Sequence, residues 1–241
     1  ENCWEAVLTN IYGTQNIIEG SIANNVKKVV DISTDKAVDP FNLYGVTKAC
    51  GEKMIINANQ NYISSTKFIC IRGGNVLGTN GSVIPLFKRQ IQERNEVTVT
   101  DPSMTRYFMS TQEAIGLIFK AFDDSIGGEI FVMRMPAAKL KYVISGMINF
   151  FGNSKTKQRT IGVRPGEKKH EVLVSKNESP RTKIYNSQYY VILPQYPCAE
   201  IESKYAHLKP IEYEEFSSQN APQLTESSFV AMLKKGQADL L

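Results

Sequence analysis

The chain has 241 residues, 42% of them hydrophobic and 22% charged, a balance that suits a globular protein able to bury one core, or a large lobe and a small one. Its formal net charge of +4 comes from basic residues scattered along the chain, which argues against nucleic acid as a partner, and no apolar run approaches the roughly 18 residues of a membrane helix. Cys3, Cys50, Cys70 and Cys198 show no CxxC spacing, and His170 and His207 have no spaced partners, so reduced thiols, a cytoplasmic location and no metal site are expected.

The amino end is neither a signal peptide nor an initiator methionine, and the chain reads as a fragment. Trp4, Val7, Leu8, Ile11, Ile17, Ile18 and Ile22 recur at helical spacing and predict a helix to about residue 23, closed by Asn24 and Asn25. A strand is expected over 27–32, then a helix capped by Asp39 or Asn42 with Pro40 near its first turn, running to about 59, and a strand over 66–72. Such alternation predicts a parallel sheet with helical crossovers, whose Val/Ile-rich strands are buried on both faces.

A glycine-rich turn follows, ending at Gly81, then a helix over 84–94, strands over 97–100 and 106–109, a helix over 112–122 and a strand over 128–132. Beyond residue 136 the pattern loosens into a helix over 139–150, a strand over 158–163, a polar stretch rich in Pro, Ser and Tyr, and a closing helix over 225–235. The expected fold is α/β: a doubly wound, Rossmann-like parallel sheet in residues 1–135 and a smaller C-terminal substrate lobe in residues 136–241.

Two short elements could carry chemistry. Tyr44 and Lys48 are four apart and share a helix face, where an ammonium one turn from a phenol favours the phenolate and makes Tyr44 a usable proton acceptor. Gly45 inside that helix costs about 1 kcal/mol relative to alanine, which implies that something approaches its backbone closely. Ser33-Thr34-Asp35-Lys36 ends the preceding strand, where open α/β sheets bind ligands, and sets a possible acid beside a possible base. Taken singly, each also fits an ordinary surface: a Tyr and a Lys on a solvated helix, and an Asp that caps the next segment. The glycine-rich stretch 73–81 lacks the Gly-Lys-Ser/Thr ending of a nucleotide triphosphate loop.

Joined, Ser-Thr-Asp-Lys, a Pro-containing turn and Asn42-Leu-Tyr44-Gly-Val-Thr-Lys48 resemble the extended short-chain dehydrogenase/reductases, and within them the inverting UDP-N-acetylglucosamine 4,6-dehydratases. The likeness continues through Asn10-Ile-Tyr-Gly13, Arg72-Gly-Gly-Asn75-Val-Leu-Gly78, Ser82-Val83-Ile-Pro85, Met104-Thr-Arg106-Tyr107 and Arg164-Pro-Gly-Glu167-Lys168. Retaining dTDP-glucose dehydratases typically have Asp-Glu where this chain has Asp35-Lys36, and the membrane-anchored relatives commonly have methionine in place of Tyr44.

The resemblance implies an NADP cofactor, with NAD as the other possibility, a UDP-sugar substrate and a homo-oligomer. It implies that Tyr44 and Lys48 serve proton transfer at the sugar 4-hydroxyl and also touch the cofactor, together with Asn10 and Arg72. Lys36 would remove the C5 proton, Asp35 would protonate the departing 6-hydroxyl, and Thr34 would be their hydrogen-bonding neighbour. Asn75, Ser82 and Val83 would line the diphosphate site, Arg106 and Arg164 would supply cations, and Glu167 would read a ribose hydroxyl. The glycine fingerprint of dinucleotide binding is absent, and by comparison with the family roughly the first hundred residues are missing. A 4-epimerase or reductase of the same fold needs Tyr44 and Lys48 but no Asp35-Lys36 pair, and a non-catalytic nucleotide-binding protein on a degenerate fold needs neither.

Overall fold

The computed structural model describes residues 2–79 and 82–235, so Glu1 and the last two residues of the expected glycine-rich turn, Asn80 and Gly81, lie outside the described residues. The chain opens with α1 (Cys3–Val7) and α2 (Gly13–Ala23), joined by a π-helical turn at Leu8–Tyr12 where the periodicity predicts one regular helix. Next come β1 (Lys28–Thr34), a 3₁₀ turn (Asp35–Ala37), α3 (Leu43–Asn61) and β2 (Lys67–Gly73). They are followed by β3 (Asn75–Val76), α4 (Val83–Arg94), β4 (Glu96–Val99), β5 (Thr105–Met109), α5 (Thr111–Asp124) and β6 (Ile130–Met133). The remainder holds β7 (Ala137–Lys139), α6 (Leu140–Phe151), β8 (Lys157–Thr160), β9 (Val172–Val174), β10 (Thr182–Ile184) and β11 (Tyr189–Ile192). It ends with α7 (Ala199–Tyr205), β12 (Phe216–Ser217), β13 (Gln223–Leu224) and α8 (Glu226–Lys235).

Two compact units result, each drawn from three stretches of sequence where a single division near residue 135 was expected. The first comprises Glu1–Gly73, Ile115–Arg134 and Val172–Phe216, and the second Gly74–Ala114, Met135–Glu171 and Ser217–Leu241. The polar stretch expected in the C-terminal lobe returns to the first unit because it hides a short, fully buried strand, Tyr189–Ile192, too brief for its pattern to show.

The first unit is built on a five-stranded sheet in the order β1-β2-β6-β11-β10. β1, β2 and β6 run parallel, while β11 joins β6 and β10 joins β11 antiparallel. The apolar run Phe68 to Ile71 of β2 is buried, as a central parallel strand requires. β1 departs from the expected two-sided burial: among the described residues it is an edge strand, and Ile32 is 59% exposed. Because β1 and β2 are parallel and α3 connects them, the amino end of α3 lies by the carboxyl ends of the strands, where α/β sheets place their ligand chemistry.

The second unit packs α4, α6 and α8 around a core that includes Leu77, Phe87, Val97, Phe108, Val143 and Phe229. The rings of Phe108 and Phe229 meet edge to face at 5.2 Å, within the range that adds to area burial. A four-stranded sheet, β13-β7-β5-β3, and a parallel pair, β4 with β8, complete it. Among the described residues no helix is long and apolar enough to cross a membrane.

The start of β6 is fixed by a buried carboxylate. Glu129 is fully buried and accepts from the amides of Ile126 and Gly127, at 2.8 and 2.7 Å, and from the Tyr205 hydroxyl at 2.8 Å. Removing it leaves three buried donors without an acceptor. Glu129→Ala is expected to lower unfolding stability by about 2–4 kcal/mol in urea titrations, while Glu129→Gln, which keeps one carbonyl oxygen, should lose less.

Candidate active site

The site begins where β1 ends. Thr34 is extended and its hydroxyl accepts from the Lys36 amide at 3.3 Å, which starts the 3₁₀ turn, and the Val38 amide closes it on the Asp35 carbonyl at 3.2 Å. Asp39 then takes a positive φ of 43°, a conformation aspartate tolerates, and Pro40 follows before Asn42 caps α3 by accepting from the Gly45 amide at 2.8 Å.

Gly45 is the point at which turn and helix touch. A Cβ there would lie 2.3 Å from the Lys36 carbonyl oxygen and 3.0 Å from the Pro40 Cβ, closer than any side chain can stand to a backbone oxygen. The expected close approach is therefore the Asp35-Lys36 turn itself. Gly45→Ala must push the turn off the helix, and an activity loss of at least tenfold is expected with a smaller fractional loss of folded protein by circular dichroism.

Asp35 is wholly buried, and its Oδ1 accepts from the Lys36 ammonium at 3.0 Å and from the Thr34 hydroxyl at 2.9 Å. Its Oδ2 is buried with no hydrogen-bond partner, and so is the Ser33 hydroxyl one strand position from Thr34. Lys36 is about a third exposed and Tyr44 is 47% exposed, so the amine and the phenol both reach the surface while the carboxyl does not. Lys48 donates to the Ile32 carbonyl at 2.9 Å and lies 3.9 Å from Asp31, which ties α3 back to β1. Burial lifts the Asp31 carboxyl above its ordinary value, with Lys48 opposing.

Asn10 sits in the π-helical turn, a distortion common at functional sites, and its amide donates to the Thr47 hydroxyl at 3.0 Å. Thr47 in turn shares its own proton between the carbonyls of Leu43 and Tyr44, each at 3.1 Å, so Asn10 braces the backbone that carries Tyr44 and Lys48. Arg72, expected beside the cofactor, is buried with all five donors taken by protein groups: Glu52 through Nε and Nη2, Glu178 through Nη1 and Nη2, and the Leu173 carbonyl through Nη1. It braces α3 and the segment before β10 and has no donor to spare for a ligand.

Burial alone would raise Glu178, but the Arg72 bonds and charge, with the Ser175 amide and hydroxyl, hold its carboxyl down at about 2. A carboxyl lowered from 4.5 contributes stability that is present above about pH 4.5 and lost as the pH falls through about 2. Glu178→Gln is expected to remove about 3 kcal/mol near neutral pH, and the gap from the wild type should close between pH 4.5 and 2 in thermal melts.

In the second unit Asn75 donates to the Tyr107 carbonyl at 3.1 Å, and Ser82 and Val83 form the N-cap and first turn of α4, with the Ser82 hydroxyl buried and unpartnered. Arg106 is committed to its surroundings, donating to the carbonyls of Thr105 and Lys169 and to Glu167 at 3.0 Å, with Glu171 at 3.7 Å. Arg164 and Glu167 open and close a turn in which the Glu167 amide donates to the Arg164 carbonyl at 3.1 Å and Gly166 takes φ 77°, as a type II turn with Pro165 at its second position requires. Arg164 is exposed, whereas Glu167 serves Arg106. No group of three or more His, Cys, Asp or Glu that could hold a metal occurs among the described residues.

Asp31, Thr47, Glu52 and Glu178 were not singled out from the sequence. Only Asp31 left a local signal, as the one charge in the run Val29-Val30-Asp31-Ile32. Glu178 is 106 residues from Arg72, and no spacing rule joins them.

Known proteins place this arrangement. The family model described as "Polysaccharide biosynthesis protein" matches residues 1–193. The chain belongs to that family. A UDP-glucose 4-epimerase of Rickettsia bellii is 42% identical over 188 residues, 78% of this chain and 55% of that protein. An inverting UDP-N-acetylglucosamine 4,6-dehydratase of Campylobacter jejuni is 36% identical over 207 residues, 85% of this chain and 60% of that protein. The chain thus spans little more than half the length of these curated relatives. Among solved structures, Pen from Bacillus thuringiensis matches 97% of this chain and 70% of its own at 36% identity and a TM-score of 0.87. The family is that of the nucleotide-sugar dehydratases and epimerases of extended short-chain dehydrogenase/reductase type.

Proposed function

We propose that the protein carrying this chain is a UDP-N-acetylglucosamine 4,6-dehydratase that inverts C5 and yields a UDP-4-keto-6-deoxy-L-sugar for bacterial surface glycans or glycoproteins. The observation that carries the reading is the Asp35–Lys36 pair, joined at 3.0 Å and seated on the helix that bears Tyr44. NADP, a cytoplasmic location and a homo-oligomer go with this reading.

The residues present fit the nicotinamide end of such a cofactor: Tyr44 is half exposed on α3, and Ile32 leaves an apolar side chain largely open on the strand that holds Lys48. Residues around Tyr44, Lys48 and Ile32 would hold the nicotinamide, which would supply reversible hydride transfer to the sugar. Tyr44 takes the proton of the 4-hydroxyl, and Lys48, fixed to the Ile32 carbonyl, supplies the positive charge that favours this transfer. The 4-keto group acidifies C5–H; the Lys36 ammonium passes a proton to Asp35 along their hydrogen bond, and the neutral amine so formed removes the C5 proton. Asp35, joined to Lys36 and Thr34, gives a proton to the departing 6-hydroxyl, which leaves as water. Reprotonation of C5 from the opposite face sets the L configuration.

The Rickettsia relatives favour a second reading, 4-epimerisation, which uses Tyr44 and Lys48 alone. The two separate cleanly in D₂O. Dehydration gives loss of water, a 4-keto product and deuterium at C5; epimerisation gives none of the three. Lys36→Ala is expected to lower dehydration by roughly 10²–10⁴-fold while bound cofactor is still reduced, whereas Tyr44→Phe blocks that reduction first. Equal loss of both steps in both variants would contradict the assignment.

A further inference from the structure

Asp31 is a charged residue in an apolar strand, and its place in the fold shows what it faces. It lies opposite Cys70 in the parallel register of β1 and β2, and the Cys70 thiol donates to its Oδ2 at 3.6 Å. From α3 it is faced by Lys48, whose ammonium lies 3.9 Å from Oδ1, and by Glu52; from β2 it is faced by Cys70, which Arg72 in turn adjoins. Arg72 is already neutralised by Glu52 and Glu178. Lys48 is therefore the cation left to balance Asp31, and both side chains are about four-fifths buried, where such a pair is screened far less than on an open surface. An apolar residue would suit this inward strand position better if packing alone mattered.

We propose that Asp31 is a positioning residue for Lys48: its carboxylate holds the ammonium against the carbonyl end of β1, so that Lys48 presents its charge to Tyr44 in one geometry. The inference rests on the reading of Tyr44 and Lys48 as the proton-handling pair, but its first consequence concerns Lys48 alone. Without the carboxylate the Lys48 side chain loses one of its two ties and turns out to solvent, where an acylating reagent reaches it more readily.

Competitive labelling of the folded protein with acetic anhydride at pH 8, read by mass spectrometry, measures this without turnover. In Asp31→Asn, Lys48 is expected to label about three- to tenfold faster than in the wild type, with Lys53 and Lys67 unchanged as internal controls, and Asp31→Glu should restore the slow rate. In the active protein the acid limb of the kcat/KM profile should move to lower pH in Asp31→Asn, because a negative charge beside the phenol's cation is gone, while KM for the sugar nucleotide stays within about twofold. Asp31→Ser carries the same expectations should the asparagine variant fold poorly.

Unchanged Lys48 labelling in both charge-removing variants overturns the proposal. So does faster labelling with an unmoved pH profile in an enzyme that Tyr44→Phe inactivates, since the pair would then be structural only. If Tyr44→Phe and Lys48→Met both retain full turnover, the proton-handling reading fails by itself, and the Asp31–Lys48 coupling stands or falls on the labelling.

Discussion

The contact on which the site depends is the seating of the Lys36 carbonyl against the bare backbone of Gly45. A backbone oxygen that would lie 2.3 Å from a Cβ fixes the turn to the first turn of α3 with no side chain between them. The Asn42 cap, the Asp35–Val38 turn bond and the positive φ of Asp39 all serve that contact by aiming the chain from strand to turn to helix within nine residues. Lys48 supplies a second tie, from one turn further along α3 to the Ile32 carbonyl. With ties at both places, Asp35, Lys36, Tyr44 and Lys48 belong to one rigid body, and the error in their mutual placement is that of backbone rather than of flexible side chains.

Beneath this body lies charge where a parallel sheet usually has hydrocarbon. Arg72 follows the apolar run Phe68 to Ile71 of β2, and it joins Glu52 of α3 to Glu178 of a distant segment with each of its five donors used. A buried network of this kind is weak evidence for net stability, since desolvation offsets much of its attraction, but it tolerates few alternatives: losing one member leaves the others buried and unpaired. It therefore fixes where the 173–178 segment docks on α3 and β2. Asp31 and Cys70 extend the polar layer towards Lys48, so α3 rests on directed bonds.

Local chemistry was legible in the sequence, and long-range chemistry was not. Pro40, Asn42 and the Tyr44 to Lys48 spacing announced the start of α3, and the cost of Gly45 inside a helix announced a close approach, because caps, turns and helix faces are decided within a few residues. The π-helical turn at Leu8–Tyr12 left no trace, since the apolar spacing there fits a regular helix equally well. The return of residues 172–216 to the first unit was also hidden: Tyr189–Ile192 is a four-residue strand in polar surroundings, and its place at the side of β6 is decided by tertiary pairing. Arg72 was legible as important and misread in kind, because an arginine that ends a strand looks the same whether its partners are phosphates or two glutamates, and those partners lie 20 and 106 residues away.

The two units divide the labour of the proposed reaction unequally. Every proton-handling group, with Asp31, Asn10 and Thr47 behind it, lies in the first unit, mostly within residues 31–52, where backbone contacts hold it. In the second unit Arg106 is taken up by Glu167 and Glu171, so of the two arginines expected to meet an anionic ligand it is Arg164 that stands exposed, at its type II turn. The same consideration decides where epimerases and dehydratases must differ. Both act on nucleotide sugars and both need a phenol and a lysine on one helix face, so the residues that recognise the nucleotide carry little information about the reaction. The distinguishing chemistry of the proposed reaction is abstraction at C5, and it requires a base and an acid beside the helix that carries Tyr44. Lys36 and Asp35 are seated there, bonded to one another, and the buried carboxyl with the lysine bonded to it is the feature that the proposed dehydration uses and a hydride exchange at C4 does not.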